Sequence, residues 1–377
     1  MTDNPVDLDP EIAYLNHAAV APWPRCARDA VIRFAEENSR VGSRHYSAWL
    51  QTEESLRRKL QSLLNAHSPD EIALLKNTSE ALSVVAYGLE WSPGDNIVIP
   101  ALEFPSNRIV WESLARFGAQ VRQIDLSGAS TPEEALIRAC DAHTRLLSVS
   151  AVQYGTGLVL NLDALGAACR DRGILFCVDA IQWLGAKPFD VQACQADFVA
   201  ADGHKWMLGP EGIAAFYCRA GHIPRLRLNQ FGWHMVEAKG DFDRSDWRPA
   251  HSARRFECGS PNMLGIHALD ASLGLLLDRG IPAVFDAISN KVSYLIENLS
   301  DRYEILTPLS PERRAGILTF APHDRRETAA RFNQLQTAGV VCAARAGGIR
   351  FSPHFHTRQQ ELDHAIELCR RPLTPTR

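Results

Sequence analysis

Short apolar runs alternate with amphipathic stretches through the middle of the chain. Segments 72–75, 96–102, 145–152, 174–179, 197–201 and 212–218 are apolar with little polar alternation, which predicts strands covered on both faces. Helical spacing appears between them: at 79–89, with Ala81, Leu82, Val85 and Leu89 on one face, at 108–117 and at 162–172. Strands separated by helices pair mostly in parallel. The pattern predicts an α/β fold, with a large domain over residues 25–265 built on a mostly parallel mixed sheet.

The texture changes after that. Segments 268–278 and 283–299 read as helices, 303–306, 316–320 and 348–352 as strands, and 327–338 and 358–369 as helices. This predicts a small α+β domain over residues 266–377. Residues 1–24 are too few for a core of their own and are expected to pack as an arm on the rest.

Composition narrows the class. Apolar residues make up 46% and charged residues 22%, which fits a globular chain rather than a disordered one. The net charge of −4 comes without a long basic stripe, so nucleic acid is not an expected partner. The acidic start, Met1 to Pro10, lacks the apolar stretch of a signal peptide, and no apolar run approaches the ~20 residues of a membrane helix. Nine cysteines, an odd number with no Cys-x-x-Cys pair, argue against a disulfide framework or a Cys-built zinc site. No metal is expected, and the thiols point to a reducing, cytoplasmic setting.

Open α/β sheets place ligands at the carboxyl ends of their strands. After 72–75 comes Asn77-Thr78-Ser79-Glu80, which opens a helix; its hydroxyls and free N–H groups suit a phosphate, or simply cap the helix. After 96–102 comes Glu103-Phe104-Pro105-Ser106-Asn107, where Phe104 offers a flat wall for a ring. The run ending in Asp179 has Gln182 three positions on, and a carboxylate ending a buried strand needs a partner. After 197–201 comes Asp202-Gly203-His204-Lys205-Trp206, and a lysine there invites covalent chemistry. A phosphate cup, an aromatic wall, a carboxylate and a lysine together match pyridoxal phosphate (PLP). The lysine would form the Schiff base and the carboxylate would hold the pyridine nitrogen protonated.

With these residues the chain resembles the class V aminotransferase superfamily of fold-type I PLP enzymes. The resemblance runs from Tyr14-Leu15-Asn16-His17-Ala18-Ala19 to Arg350-Phe351-Ser352-Pro353-His354, and DGHKWMLGPEG at 202–212 is its most specific part. It implies Lys205 as the Schiff-base lysine, Asp179 on the pyridine nitrogen and Gln182 near the ring hydroxyl. It further implies Phe104 stacked on the ring, with Thr78, Ser79 and His204 around the phosphate or reacting face; Asp202 is a further cofactor-binding candidate, at a position where the family pattern is broken. Arg350 would hold the substrate α-carboxylate, which a guanidinium fork suits, with Asn16 and Tyr154 beside it. Ser260, in Glu257-Cys258-Gly259-Ser260-Pro261-Asn262, matches the loop that reaches a partner subunit's phosphate, which implies a homodimer with shared sites.

Gly-His-Lys is similar to the cysteine desulfurase, selenocysteine lyase and isopenicillin N epimerase-like branch, and a His beside the lysine can move protons near neutrality. Desulfurases usually carry His at Phe104 and Ser at Asp202, and a reactive Cys on a loop before the carboxylate-binding Arg. Here Val340 to Arg350 leaves no room for that loop, and Cys342 follows two Val residues in an apparent strand. Phe104-Pro105-Ser106 and Gln153-Tyr154-Gly155-Thr156-Gly157 resemble kynureninase segments, whereas Gln182 and Gly-His-Lys do not. The expected function is β-elimination, of C–S or a related bond, from an α-amino acid, without a persulfide cysteine. Transamination and epimerisation share its first steps and stay open, as does a PLP-binding protein without turnover. Lys187 is the competing lysine, and Ala186-Lys187-Pro188 predicts a surface turn.

Overall fold

The computed structural model describes residues 4–128 and 131–373; the ends of the expected arm and small domain, 1–3 and 374–377, lie outside the described residues. The chain begins with β1 (Ala13–Tyr14), then α1 (Arg25–Val41) and α2 (Tyr46–Leu64), which pack on the later α7 (Met263–Arg279). Seven strands follow: β2 (Ile72–Leu75), β3 (Asn96–Pro100), β4 (Gln120–Ile124), β5 (Thr144–Ser150), β6 (Leu175–Asp179), β7 (Phe198–Asp202) and β8 (Ala214–Cys218). They form one sheet in the order β2-β8-β7-β6-β5-β3-β4. The β4-β3-β5-β6-β7 stretch is parallel, and β8 runs antiparallel to both β7 and β2.

Successive strand residues point to opposite faces, and here both faces are packed. Val98, Leu147, Val149, Val178, Val199 and Ala201 join one buried cluster; Ile97, Ile99, Leu146, Cys177, Phe198 and Ala200 join the other. That is why the runs lack polar alternation. The exception is β4 at one edge of the sheet, whose Gln-Val-Arg-Gln-Ile pattern keeps polar residues towards water and hides it from a search for apolar runs. The predicted helix at 108–117 is α4 (Ser106–Glu112) tightening into a 3₁₀ turn over Ser113–Phe117, closed by Gly118 at φ +80°.

The C-terminal part carries a second sheet of β9 (Tyr303–Ile305), β10 (Leu318–Pro322), β12 (Ala343–Arg345) and β13 (Gly348–Phe351), in the order β12-β13-β10-β9 and fully antiparallel. A third, two-stranded sheet pairs β1 in parallel with β11 (Val340–Val341). The N-terminal arm thereby bridges the molecule: Leu15 N donates to Val341 O (2.9 Å), Ser352 N to Leu15 O (2.7 Å) and Ala21 N to His204 O (2.8 Å). Among the described residues no helix is long and apolar enough to cross a membrane.

Beneath β2 lies a buried ionic group. Arg57 donates to Glu257 (2.6 Å), Glu53 (2.9 Å) and the Ile72 carbonyl (2.6 Å), and Glu257 also accepts from Leu74 N (2.8 Å). Glu53, Glu257 and His234 offer atoms within 4.8 Å of one another. With Arg57 on both carboxylates and Lys239 3.7 Å from Glu53, the two negative charges are already balanced by protein cations.

Candidate active site

The parallel strands end on one side of the sheet, and their register sets the site. Ser150 lies opposite Asp179, and Asp179 opposite Ala200. Asp202, two residues past Ala200, shares that face, so β6 and β7 present two carboxylates to one cavity. The cavity measures about 310 Å³ and is lined by Thr78, Ser79, Phe104, Tyr154, Asp179, Gln182, Asp202, His204, Lys205 and Arg350, with Ala18 to Val20 of the arm and Arg345 beside them. Ten of the twelve residues expected at the site are thus brought together. Asn16 is not in the lining: it makes a β-bridge to Ser352, and its buried Oδ1 has no hydrogen bond. Ser260 is exposed outside its own chain's cavity, where its hydroxyl accepts from Trp233 Nε1 (3.4 Å).

Lys205 is fixed by what surrounds it. Trp206, fully buried, donates from Nε1 to Gln182 Oε1 (2.8 Å), and its carbonyl contacts His354 Nε2 (3.1 Å). A Cβ on Gly316 would stand 2.1 Å from the Trp206 ring, and one on Gly185 would stand 2.3 Å from its carbonyl oxygen. These two glycines let the backbone close around Trp206 and so hold the residue before it. Burial brings the Lys205 ammonium down to about 8, against the pull of Asp179 and with the push of Arg350. A lysine poised near neutrality can act both as an amine nucleophile and as a base. Its Nζ lies 5.6 Å from the centre of the Phe104 ring.

Asp179 is buried and accepts from Ile181 N (3.0 Å); burial pushes its carboxyl up to about 6. His204 Nδ1 stands 2.9 Å from Asp202 Oδ1, close but outside hydrogen-bond geometry. At the start of α3 (Thr78–Gly88), Asn77 takes the capping role by accepting from Glu80 N (2.9 Å). Thr78 Oγ1 is left buried with no partner at a helix N-terminus, an anion-attracting position. Gln182 is held by Trp206 and by its own bond to Ala18 O (2.9 Å), which leaves one amide proton free. Arg350 is 2% exposed; it donates to the Tyr154 carbonyl (2.7 Å), and its Nε has no partner.

Glu103 was legible only as part of a motif. It is buried, accepts from Ser150 N (2.6 Å) and from the Ser150 hydroxyl, and is pushed by burial from its ordinary 4.5 up to about 7. It therefore forms a second carboxyl layer behind Asp179, held by the residue that pairs with Asp179 across β5 and β6. An acid raised in the folded state stabilises it fully below its ordinary value and loses that contribution as pH rises through the raised one. Across this window the loss is about 3 kcal/mol at about 1.36 kcal/mol per pH unit. Glu103→Gln is expected to remove most of this dependence. Urea midpoints of both proteins at pH 4.5 and 8 measure it, and equal pH slopes would contradict it.

Lys187 lies in the turn expected for it but is half-buried: its ammonium packs 4.4 Å from the Trp183 ring centre, and burial lowers it. It borders a different cavity from Lys205. Cys342 is buried among Leu15, Leu335 and Phe351, with its thiol pushed up to about 12 by burial.

An unpartnered hydroxyl at a helix N-terminus, an exposed aromatic face, a buried carboxylate and a lysine near neutrality fit PLP group by group: phosphate, ring, ring nitrogen and aldehyde. The model of the family described as aminotransferase class-V matches residues 13–365. A probable cysteine desulfurase of Methanothermobacter thermautotrophicus is 31% identical, over 93% of this chain and 92% of that one. A cysteine desulfurase of Yersinia pestis is 30% identical, over 82% and 77%. Among solved structures, the cystine C–S lyase C-DES in complex with its product cysteine persulfide superposes with a TM-score of 0.88 at 23% identity, over 95% of this chain and 97% of that one. The cysteine desulfurase CsdA of Escherichia coli does so with 0.85 at 22% identity, over 96% and 94%. A family model spanning residues 13–365 and a relative 31% identical over 93% of the sequence make this chain a member of the class V aminotransferase family.

Proposed function

We propose that the chain is a PLP-dependent lyase that cleaves a C–S bond at Cβ of an amino acid without passing the sulfur to a cysteine of its own. The observation that carries the second half is the hairpin before Arg350. Arg345 pairs directly with Gly348, so only Ala346 and Gly347 separate β12 from β13. A sulfur-accepting thiolate needs exposure and a cationic setting; Cys342 has a packed core around it instead.

In this reading Arg350 would hold the α-carboxylate and Phe104 would offer the ring an apolar wall. Asp179 would keep the ring nitrogen protonated, and Thr78 and Ser79 would hold the phosphate. Bound PLP supplies a sink for the electron pair released at Cα. Lys205 would hold PLP and, as an amine brought near neutrality, would take the Cα proton. The Cβ–S bond then breaks with its electron pair going to sulfur, and His204 supplies a proton to the departing group. Water converts the 2-aminoacrylate left behind into pyruvate and ammonia. The working form is a homodimer in which Ser260 reaches the neighbouring subunit's phosphate, and the unpaired thiols suit the reducing cytoplasm.

The test is a screen of L-cystine, L-cysteine and S-alkyl-L-cysteines with the PLP-loaded protein, measuring pyruvate, ammonia and thiol, with a keto-acid control. Release of pyruvate and ammonia is the expected result. A new amino acid formed from the keto acid, a D-isomer, or a spectral shift without product would each overturn the reading.

A further inference from the structure

The hairpin that carries Arg350 brings a second guanidinium to the same cavity. Ala343 lies opposite Arg350, and Arg345 opposite Gly348. Residues directly opposite share a face of the sheet, as do residues two apart along a strand. Arg345 and Arg350 therefore project from one face as diagonal neighbours, their backbone positions roughly 7–8 Å apart. The turn between them holds Ala346 at φ +49° and Gly347 at φ +72°. Two successive left-handed residues make the tightest hairpin connection, so the ladder sets the spacing. Gly348 leaves the position opposite Arg345 without a side chain, and a Cβ there would stand 2.5 Å from Phe320 O.

The two arginines differ in their surroundings. Arg350 is buried and tied to Tyr154. Arg345 is exposed at the edge of the cavity; its Nη1 donates to the Ala344 carbonyl (2.8 Å), and no carboxylate among the described residues pairs with it. Its charge reaches the site, since it helps lower both Lys205 and Arg350. Of the cavity's carboxylates, Asp202 stands with His204, and Asp179 is buried against Ile181 N.

We infer that Arg345 recognises an anionic group at the far end of the substrate side chain, so that the substrate is an amino acid whose departing thiol carries a second carboxylate. The inference rests on the lyase reading, in which Arg350 takes the first carboxylate. An elongated side chain on a substrate held at Arg350 would extend towards Arg345 at the edge of the cavity.

The test separates binding from turnover by using carbon-chain probes that have no sulfur to eliminate. L-2-Aminopimelate ends in a carboxylate, L-2-aminoheptanoate in a methyl group and L-lysine in an ammonium group. Dissociation constants are measured by calorimetry on PLP-loaded wild type, Arg345→Lys and Arg345→Glu. Wild type is expected to bind aminopimelate about tenfold more tightly than aminoheptanoate. Arg345→Lys keeps that order with a smaller gap, and Arg345→Glu reverses it in favour of lysine. Equal binding of the first two probes by wild type, or an unchanged order in Arg345→Glu, would overturn the assignment. The same order of affinities, found with a protein that releases no pyruvate from any S-substituted cysteine, would uphold Arg345 and overturn the lyase reading instead.

Discussion

Lys205→Ala is expected to yield a folded protein that no longer joins PLP covalently and loses turnover by about 10³-fold or more. The residue serves as attachment point and base at once, and its setting between Trp206, Asp179 and Arg350 is matched by no other lysine lining the cavity. In wild type, borohydride reduction followed by peptide mass analysis should place the pyridoxyl group on Lys205, and the visible band of the linked cofactor should vanish in the variant after dialysis. A band that survives in the folded variant would move the attachment elsewhere. Lys187 is the first place to look, although its ammonium is committed to Trp183 and Phe285.

Asp179→Asn should keep PLP bound while lowering kcat by about 100-fold or more, because an amide cannot hold the ring nitrogen in its protonated state. A structural role predicts something different. Burial already raises this carboxyl to about 6, so its ionised form costs the fold stability above that pH. The variant should therefore unfold no earlier in urea at pH 8 than wild type does. Near wild-type turnover, or a marked loss of stability at pH 8, would make Asp179 a structural carboxylate.

The strand-end residues were legible because each breaks a pattern. Asp179 ends the apolar run of β6, and Lys205 follows a strand buried along its whole length. What escaped was written in long-range pairing. α1 lies before the alternating stretch; it fully buries only Ala27 and Ala30, so the face it turns to α7 is narrow. Arg57 meets Glu257 across 200 positions, and Glu103 meets Ser150 across 47. Neither contact leaves a trace in local periodicity. Arg345 was hidden by its turn, since Ala346-Gly347 lacks the Asn-Gly or Gly-Gly signature that marks a two-residue hairpin. Without the hairpin, nothing in the sequence aligns Arg345 with Arg350.

The central claim is that sulfur leaves the substrate without a cysteine of the protein receiving it, and the products of one reaction decide it. A desulfurase moves sulfur to a thiolate and leaves alanine, whereas elimination leaves pyruvate and ammonia. The measurement is the alanine-to-pyruvate ratio from L-cystine and L-cysteine, with intact-protein mass recorded during turnover, for wild type and Cys342→Ser. Pyruvate and ammonia in equal amounts, no alanine, an unchanged protein mass and most of the activity retained in the variant are the expected results. Alanine as the product, with the mass of an added sulfur on Cys342 and turnover lost in Cys342→Ser, would contradict the claim.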